Sequence, residues 1–205
     1  TWLTLWEDVL TDDATWKAIE ERLYGGLAWG TETAAGDNSY AIRAWSGSYE
    51  VIVAANTAIN KIPEIDMDEN LAKRLIAECK FMRAYFYHRL QVRYGDVPMP
   101  TQLPEFEDFQ PERKPRADVV ALVRQDLNDA IEDLPWQHTG NDVGRVTKGA
   151  AYCLLARSYL FDGQFAEAAT AASGGMQGTY DLLPDYADLW ELGTQNTVES
   201  LWEIQ

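Results

Sequence analysis

The sequence predicts an all-α fold of closely packed helical hairpins. Two observations carry this. Apolar residues recur at three- and four-residue steps over long stretches, as in Ile42, Trp45, Tyr49, Ile52, Ala55, Ile59 and Ile62. That is the period of a helix with one buried face. Further on, Leu155, Ala156, Tyr159, Gly163, Phe165 and Ala168 stand at the spacing of a helix–turn–helix pair. Small alanines there let two helices approach, and glycine turns the chain between them.

The elements follow in order. Residues 3–10 are apolar and lead into Thr11-Asp12-Asp13, and a helix is expected over 15–23. Residues 25–39, rich in Gly, Thr and Ala and carrying Trp29, read as a long loop, the kind of segment that often holds function. A helix over 40–62 takes Asn38 or Ser39 as its cap and is stopped by Pro63. The next helix, 68–94, starts on Asp68 and carries Leu71, Leu75, Cys79, Met82, Phe86 and Leu90 as its stripe. Gly95 closes it. Asp96-Val97-Pro98-Met99-Pro100 is held extended, because proline restricts both itself and the preceding residue.

Residues 101–115 form a polar, proline-rich connection. A third helix over 116–134 places Val120, Val123, Leu127, Ile131 and Leu134 on one side, and 135–146 is a loop. Helices over 147–162 and 164–173 make the hairpin, broken at Asp162-Gly163, with Tyr159 and Phe165 filling the space beside Ala156 and Ala168. Its spacing is that of a tetratricopeptide-like pair. One such pair cannot bury its face alone, and helices 40–62 and 68–94 are expected to supply a second. Leu201-Trp202-Glu203-Ile204-Gln205 reads as a strand just starting. Thr1 is not an initiator Met, and both ends read as cuts in a longer protein.

With 205 residues, 46% hydrophobic and 24% charged, the chain is long enough for one sizeable core. A net charge of −16 argues against nucleic acid, whose phosphates need a basic footprint. An anionic membrane surface would repel the chain too, whereas a neutral ligand is indifferent to that charge. No apolar run is long enough to cross a bilayer. Cys79 and Cys153 lie among apolar neighbours and read as small buried thiols, with a disulfide between them left open. His88 and His138 are far apart and no zinc-type spacing exists, so no metal and no cofactor is expected.

Eight Trp and ten Tyr exceed what a plain helical domain needs. Aromatic faces pack cores, but they also stack on sugar rings, while planar amide, carboxylate and guanidinium groups bond paired hydroxyls. Asp13, Trp16, Arg22, Trp29, Asp37, Asn38 and Arg43 offer that mixture near loops. Trp29 is the foremost candidate, with packing under its own loop as the alternative; the others double as ordinary surface or cap residues. Asn56 is expected to bond a neighbouring backbone group. Arg83 interrupts an apolar helix and is expected to pair with Glu78 or Asp96, since an unpaired buried charge is costly. Asp12-Asp13, Glu20-Glu21 and Asp66-Asp68 read as solvated surface. Adjacent acids on a helix do not face each other across a sugar, as a glycosidase requires, and no cation-loop chemistry surrounds them.

Six segments in order resemble the SusD/RagB family. They are Trp45-x3-Tyr49-x2-Ile52-x3-Asn56, Ala77-Glu78-Cys79-Lys80-Phe81-Met82-Arg83-Ala84-Tyr85, Tyr94-Gly95-Asp96-Val97-Pro98, Asp126-Leu127-x2-Ala130-x3-Leu134-Pro135, Gly144-Arg145-Val146-Thr147-Lys148-Gly149-Ala150-Ala151, and Glu199-Ser200-Leu201-Trp202-Glu203-Ile204-Gln205. Cys79 and Met82 depart from the pattern, which has a small residue and Leu there. The resemblance implies tetratricopeptide-like hairpins in a right-handed superhelix with long loops. Residues 1–205 would be the N-terminal helical region, with a loop-rich half beyond. It also implies a non-catalytic, surface-exposed outer-membrane lipoprotein that binds oligosaccharides and passes them to a SusC-like TonB-dependent transporter. The lipid-bearing N-terminal cysteine of that family is absent from this chain. A tetratricopeptide-type protein-interaction scaffold is the alternative.

Overall fold

The computed structural model describes residues 39–102, 111–191 and 195–203. The chain divides into two compact units, Thr1–Glu50 and Val51–Gln205. Helix α1 (Ser39–Lys61) begins in the first unit and ends in the second. The expected helix over 15–23 and loop over 25–39 lie outside the described residues, apart from Ser39, which belongs to α1.

In the first unit, Ser48 Oγ donates to the Ala44 carbonyl at 2.6 Å, one turn back. The Trp45 and Tyr49 rings stand 5.1 Å apart. Ile42, expected on the buried stripe, is 50% exposed, while Ala44 and Ser48 are buried. A hydrophobic period weights large side chains and passes over small ones such as these.

The second unit holds the remaining α1 residues and four more α-helices among the described residues. A 3₁₀ turn, Ile62–Glu64, contains Pro63 and ends α1, because proline removes a donor and fixes φ. Helix α2 (Glu69–Tyr94) starts where the Asp68 carboxylate accepts from the Leu71 N–H at 2.8 Å, satisfying one free amide of the first turn. Gly95, at φ 70°, closes it. Strand β1 (Val97–Pro98) pairs antiparallel with β2 (Arg113–Lys114), Val97 opposite Lys114. Helices α3 (Arg116–Asp133), α4 (Lys148–Phe161) and α5 (Phe165–Gly175) follow. The described part of the C-terminal run, 201–203, is not a strand, contrary to expectation.

Successive helices pack side by side: α2 along α3, α3 along α4, α4 along α5. Helices α1 and α2 also meet, through Asn56 and Arg83, as expected of 40–62 and 68–94, and α3 joins α2 to the α4–α5 hairpin. The reason is visible in the buried faces. Helix α2 buries Ala77, Phe81, Ala84 and Tyr87, and α3 buries Val119, Val123, Leu127 and Ala130, so small and large residues interdigitate. The stripe expected on α2 is displaced: Leu71 is 38% exposed, and of the six stripe residues only Leu90 is buried. Each fully buried Leu or Val here contributes about 1.5–3 kcal/mol.

Arg83 explains the displacement. It lies on the buried face, 7% exposed, and donates through Nε and Nη2 to the two Asp126 oxygens, both at 2.7 Å. Its Nη1 donates to Asn56 Oδ1 at 2.8 Å. Asn56 Nδ2 in turn donates to the Pro100 carbonyl at 2.9 Å, as does the Tyr87 hydroxyl at 2.7 Å. One guanidinium thus joins α1, α2 and α3, and Asn56 bonds the backbone as expected. Glu78 and Asp96 are not its partners. Glu78, five residues earlier, points to another helix face and accepts from Arg145 at 2.8 Å. Asp96 accepts from the Arg116 N–H at 2.8 Å.

Between α4 and α5, Gly163 takes φ 70° and turns the chain. Phe165 does not fill the hairpin; it is 68% exposed. Tyr152 does, because Gly174 leaves room: a Cβ there would stand 2.5 Å from the Tyr152 ring. Tyr159 is half-buried, with the Arg124 guanidinium 4.2 Å from its ring centre. Both cysteines are free, so the disulfide is not formed; Cys79 is half-buried, and Cys153, expected to be buried, is exposed on α4.

His88 is 5% exposed, with its ring 5.5 Å from Phe161. Burial, then the charges of Arg157, Arg116 and Arg124, push it down to about 4, while Asp162 opposes them. The unfolded chain takes up this proton near pH 6.5 and the folded one only near pH 4. Stability is therefore full above pH 6.5 and falls as pH drops through that window, by up to about 1.4 kcal/mol per unit. Urea unfolding of wild type and His88→Leu between pH 7 and pH 5 checks this: the wild type should lose about 2 kcal/mol more than the variant.

Candidate functional site

Of the residues expected to hold a ligand, Asp13, Trp16, Arg22, Trp29, Asp37 and Asn38 lie outside the described residues. Arg43 is exposed near the start of α1.

The described residues form a cleft of about 240 Å³ that sequence reasoning did not find. Its aromatic lining is Trp136, Tyr180 and Trp202, and its polar lining includes Gln137, Asn196 and Glu203. Three separate stretches build it. Past α3, the chain turns after Leu134-Pro135, and the Pro135 carbonyl accepts from the Lys148 N–H at 2.8 Å. Thr147 caps α4 by accepting from Ala150 N–H at 3.2 Å, and its hydroxyl donates to the Leu201 carbonyl at 2.6 Å. Trp202 donates its indole N–H to the Gly144 carbonyl at 3.0 Å and packs edge-on against Phe81 at 5.4 Å.

Tyr180 completes the wall. Its hydroxyl donates to the Trp136 carbonyl at 2.9 Å. The ring lies directly on Gly149 and Gly178, where a Cβ would collide with it. Gly149→Ala should therefore push Tyr180 away from Trp136 and cost about 1–3 kcal/mol, read by thermal unfolding. Trp136 also stacks on Tyr152 at 6.0 Å with 15° between the planes.

Ion pairs fix the rim. Arg145 donates to Asp142 at 2.7 Å and Glu78 at 2.8 Å, and Arg74 donates to Asp142 at 2.9 Å. The Arg74 hydrogen bond, more than any other contact, holds the Asp142 carboxyl below its usual range. His138 Nε2 faces the Val146 carbonyl at 2.8 Å and so carries the proton.

Aromatic walls beside amide, hydroxyl and carboxylate groups suit a small neutral ligand rich in hydroxyls. Among the described residues, Glu203 is the one carboxylate lining the cleft. Among the described residues no group of three or more His, Cys, Asp or Glu is placed to hold a metal.

Stacked helical hairpins here carry a cleft lined by aromatic and polar side chains. The family model for SusD-like proteins, described as "Starch-binding associating with outer membrane", matches residues 5–160. A SusD-like protein of Bacteroides ovatus is 30% identical over 179 residues, covering 79% of this chain and 32% of the relative. The chain belongs to the SusD-like family and has its all-α, tetratricopeptide-like fold. A solved laminarin-binding SusD-like protein superposes with a TM-score of 0.81 at 28% identity, over 91% of this chain and 41% of that one. A structure with xylogluco-oligosaccharide superposes with a TM-score of 0.77 at 28% identity, over 89% and 38%. The chain spans about a third of the length of the curated relatives it matches.

Proposed function

We propose that residues 1–205 are the helical region of a glycan-capturing protein whose loop-rich half lies in the remainder of a longer chain. The protein binds oligosaccharides without breaking a bond. It stands on the outer membrane, held by a lipid on an N-terminal cysteine, and passes its ligand to a SusC-like TonB-dependent transporter. The observation that carries this reading is the shared fold with a laminarin-binding relative across 91% of the chain. The net charge of −16 is compatible with it, because a neutral sugar gains or loses little from that field.

Within this reading, Trp29 stacks on a sugar face, and Asp13, Trp16, Arg22, Asp37, Asn38 and Arg43 supply further contacts. The Trp136–Tyr180–Trp202 cleft has the same chemistry and is a second place for a sugar ring. Affinity electrophoresis of the full-length protein through laminarin, xyloglucan and starch gels tests the assignment. Trp29→Ala should lower affinity about tenfold, the loss of one aromatic stack of roughly 1.4 kcal/mol. Unchanged retardation of Trp29→Ala in the gel that holds the wild type would remove Trp29 from the site.

A further inference from the structure

A second pocket, of about 370 Å³, shares Gly144, Arg145 and Trp202 with the cleft. Its character is different. Val51 and Ala54 of α1, Cys79 and Met82 of α2, and Val146 wall it, so the lining is aliphatic and thioether groups with one indole. Among the described residues the charged members of that lining are Glu78 and Arg145.

The state of Glu78 points to what the pocket receives. Its Oε2 accepts from Arg145 Nη1 at 2.8 Å. Its Oε1 is buried and accepts no hydrogen bond among the described residues. Arg74 Nη1, at 3.9 Å, is too far to donate. A buried carboxylate oxygen without a donor is costly, and an N–H delivered into the pocket relieves that cost. The terminal torsion of Glu is soft, so a small rotation offers Oε1 to such a donor. Arg145 adds the complementary group. Its Nε donates to Asp142 and its Nη1 to Glu78, while Nη2 donates to nothing among the described residues. An acceptor and a donor thus stand side by side in an otherwise apolar lining. A methyl-bearing secondary amide matches that pattern: N–H to Glu78, C=O to Arg145, methyl against the aliphatic walls. An ester or aryl group has no N–H and leaves the carboxylate unmet, and an amine brings a cation beside Arg145.

We infer that this pocket receives the acetamido group of an N-acetylated sugar, with the next ring of the same oligosaccharide in the Trp136–Tyr180–Trp202 cleft. The assignment rests on the chain binding glycans, and it adds which ones: neutral oligosaccharides that carry N-acetyl groups.

Titration of the full-length protein with triacetylchitotriose and with cellotriose tests it, since the two share a backbone and differ in acetamido against hydroxyl. The acetylated sugar should bind at least about tenfold more tightly. Ala54→Trp fills the pocket from an exposed position and should bring the two affinities together; circular dichroism checks its fold. Cys79 supplies a second readout on the wild type. Burial pushes its thiol up, so labelling is run in mildly alkaline buffer. Iodoacetamide, itself a small amide, should alkylate Cys79, and the acetylated sugar should slow that reaction while leaving the exposed Cys153 unaffected, as read by peptide mass. Equal affinity for the two sugars, a preference that survives Ala54→Trp, or a Cys79 rate unchanged by the acetylated sugar overturns the proposal. So does a Cys79 that stays unlabelled in the folded protein, because the pocket would then be closed to a ligand of that size. Binding of laminarin or xyloglucan without any preference for the acetylated sugar leaves the glycan reading standing, whereas no binding of any sugar removes both.

Discussion

Asp126→Ala should destabilise the protein by about 3–5 kcal/mol, the largest effect expected of any single charge removal here. Arg83 is 7% exposed and Asp126 2%. Burial alone pushes the Asp126 carboxyl up, and the Arg83 hydrogen bonds and charge pull against it. Both carboxylate oxygens accept from the guanidinium at 2.7 Å, which requires the ionised form. Removing the acid leaves a buried cation with Asn56 as its remaining side-chain acceptor. Replacing both partners, as in Arg83→Leu with Asp126→Leu, removes the charge as well as the bond and should cost less than the single change. Urea unfolding of the two singles and the double reads this directly. A loss under about 1 kcal/mol for Asp126→Ala would mean the pair is hydrated and does not hold α2 to α3.

Phe81→Ala should cost a further class of energy, about 3–5 kcal/mol, through lost burial and an unfilled cavity. The ring is 2% exposed and meets Trp202 edge-on at 5.4 Å and Tyr85 at 6.3 Å. Its removal loosens the core between α2 and α3 and undercuts Trp202, which lines the cleft. Tm should fall by about 10 °C, and the Trp202 indole N–H, bonded to the Gly144 carbonyl, should exchange faster with solvent. A Tm within about 2 °C of wild type would show that the cleft wall does not rest on the helical core.

Much of the helical frame was legible because local rules act over a few residues. Asp68 reads as a cap, Pro63 as a stop and Gly163 as a turn without knowledge of the rest. The hairpin of α4 and α5 followed from small residues at fixed spacing. What failed depended on distant partners. Arg83 finds Asp126 forty-three positions on, and no local pattern chooses it over Glu78 or Asp96. On α1 the period found Ile52, Ala55 and Ile62 and erred at Ile42, whereas on α2 it passed over the small Ala77 and Ala84 and placed Leu71 on the wrong side. Phe165, expected to fill the hairpin, is exposed, and Tyr152 takes that place where Gly174 makes room for its ring.

The cleft was hidden for the same reason: Trp136, Tyr180 and Trp202 lie in three stretches that meet only in the fold. One signal was available. Gly149 inside a helix, and Gly178 two residues before Tyr180, are unfavourable unless a large ring needs the space. The foremost sequence candidate, Trp29, lies outside the described residues and stands as a proposal.

Isothermal titration of the full-length protein with neutral oligosaccharides, at low and high salt, tests the central claim most directly. Saturable heat with at least one glycan, an affinity unmoved by salt, and the sugar recovered intact are the predicted results. No heat with any glycan, or a sugar recovered in pieces, would contradict a scaffold that holds its ligand without transforming it.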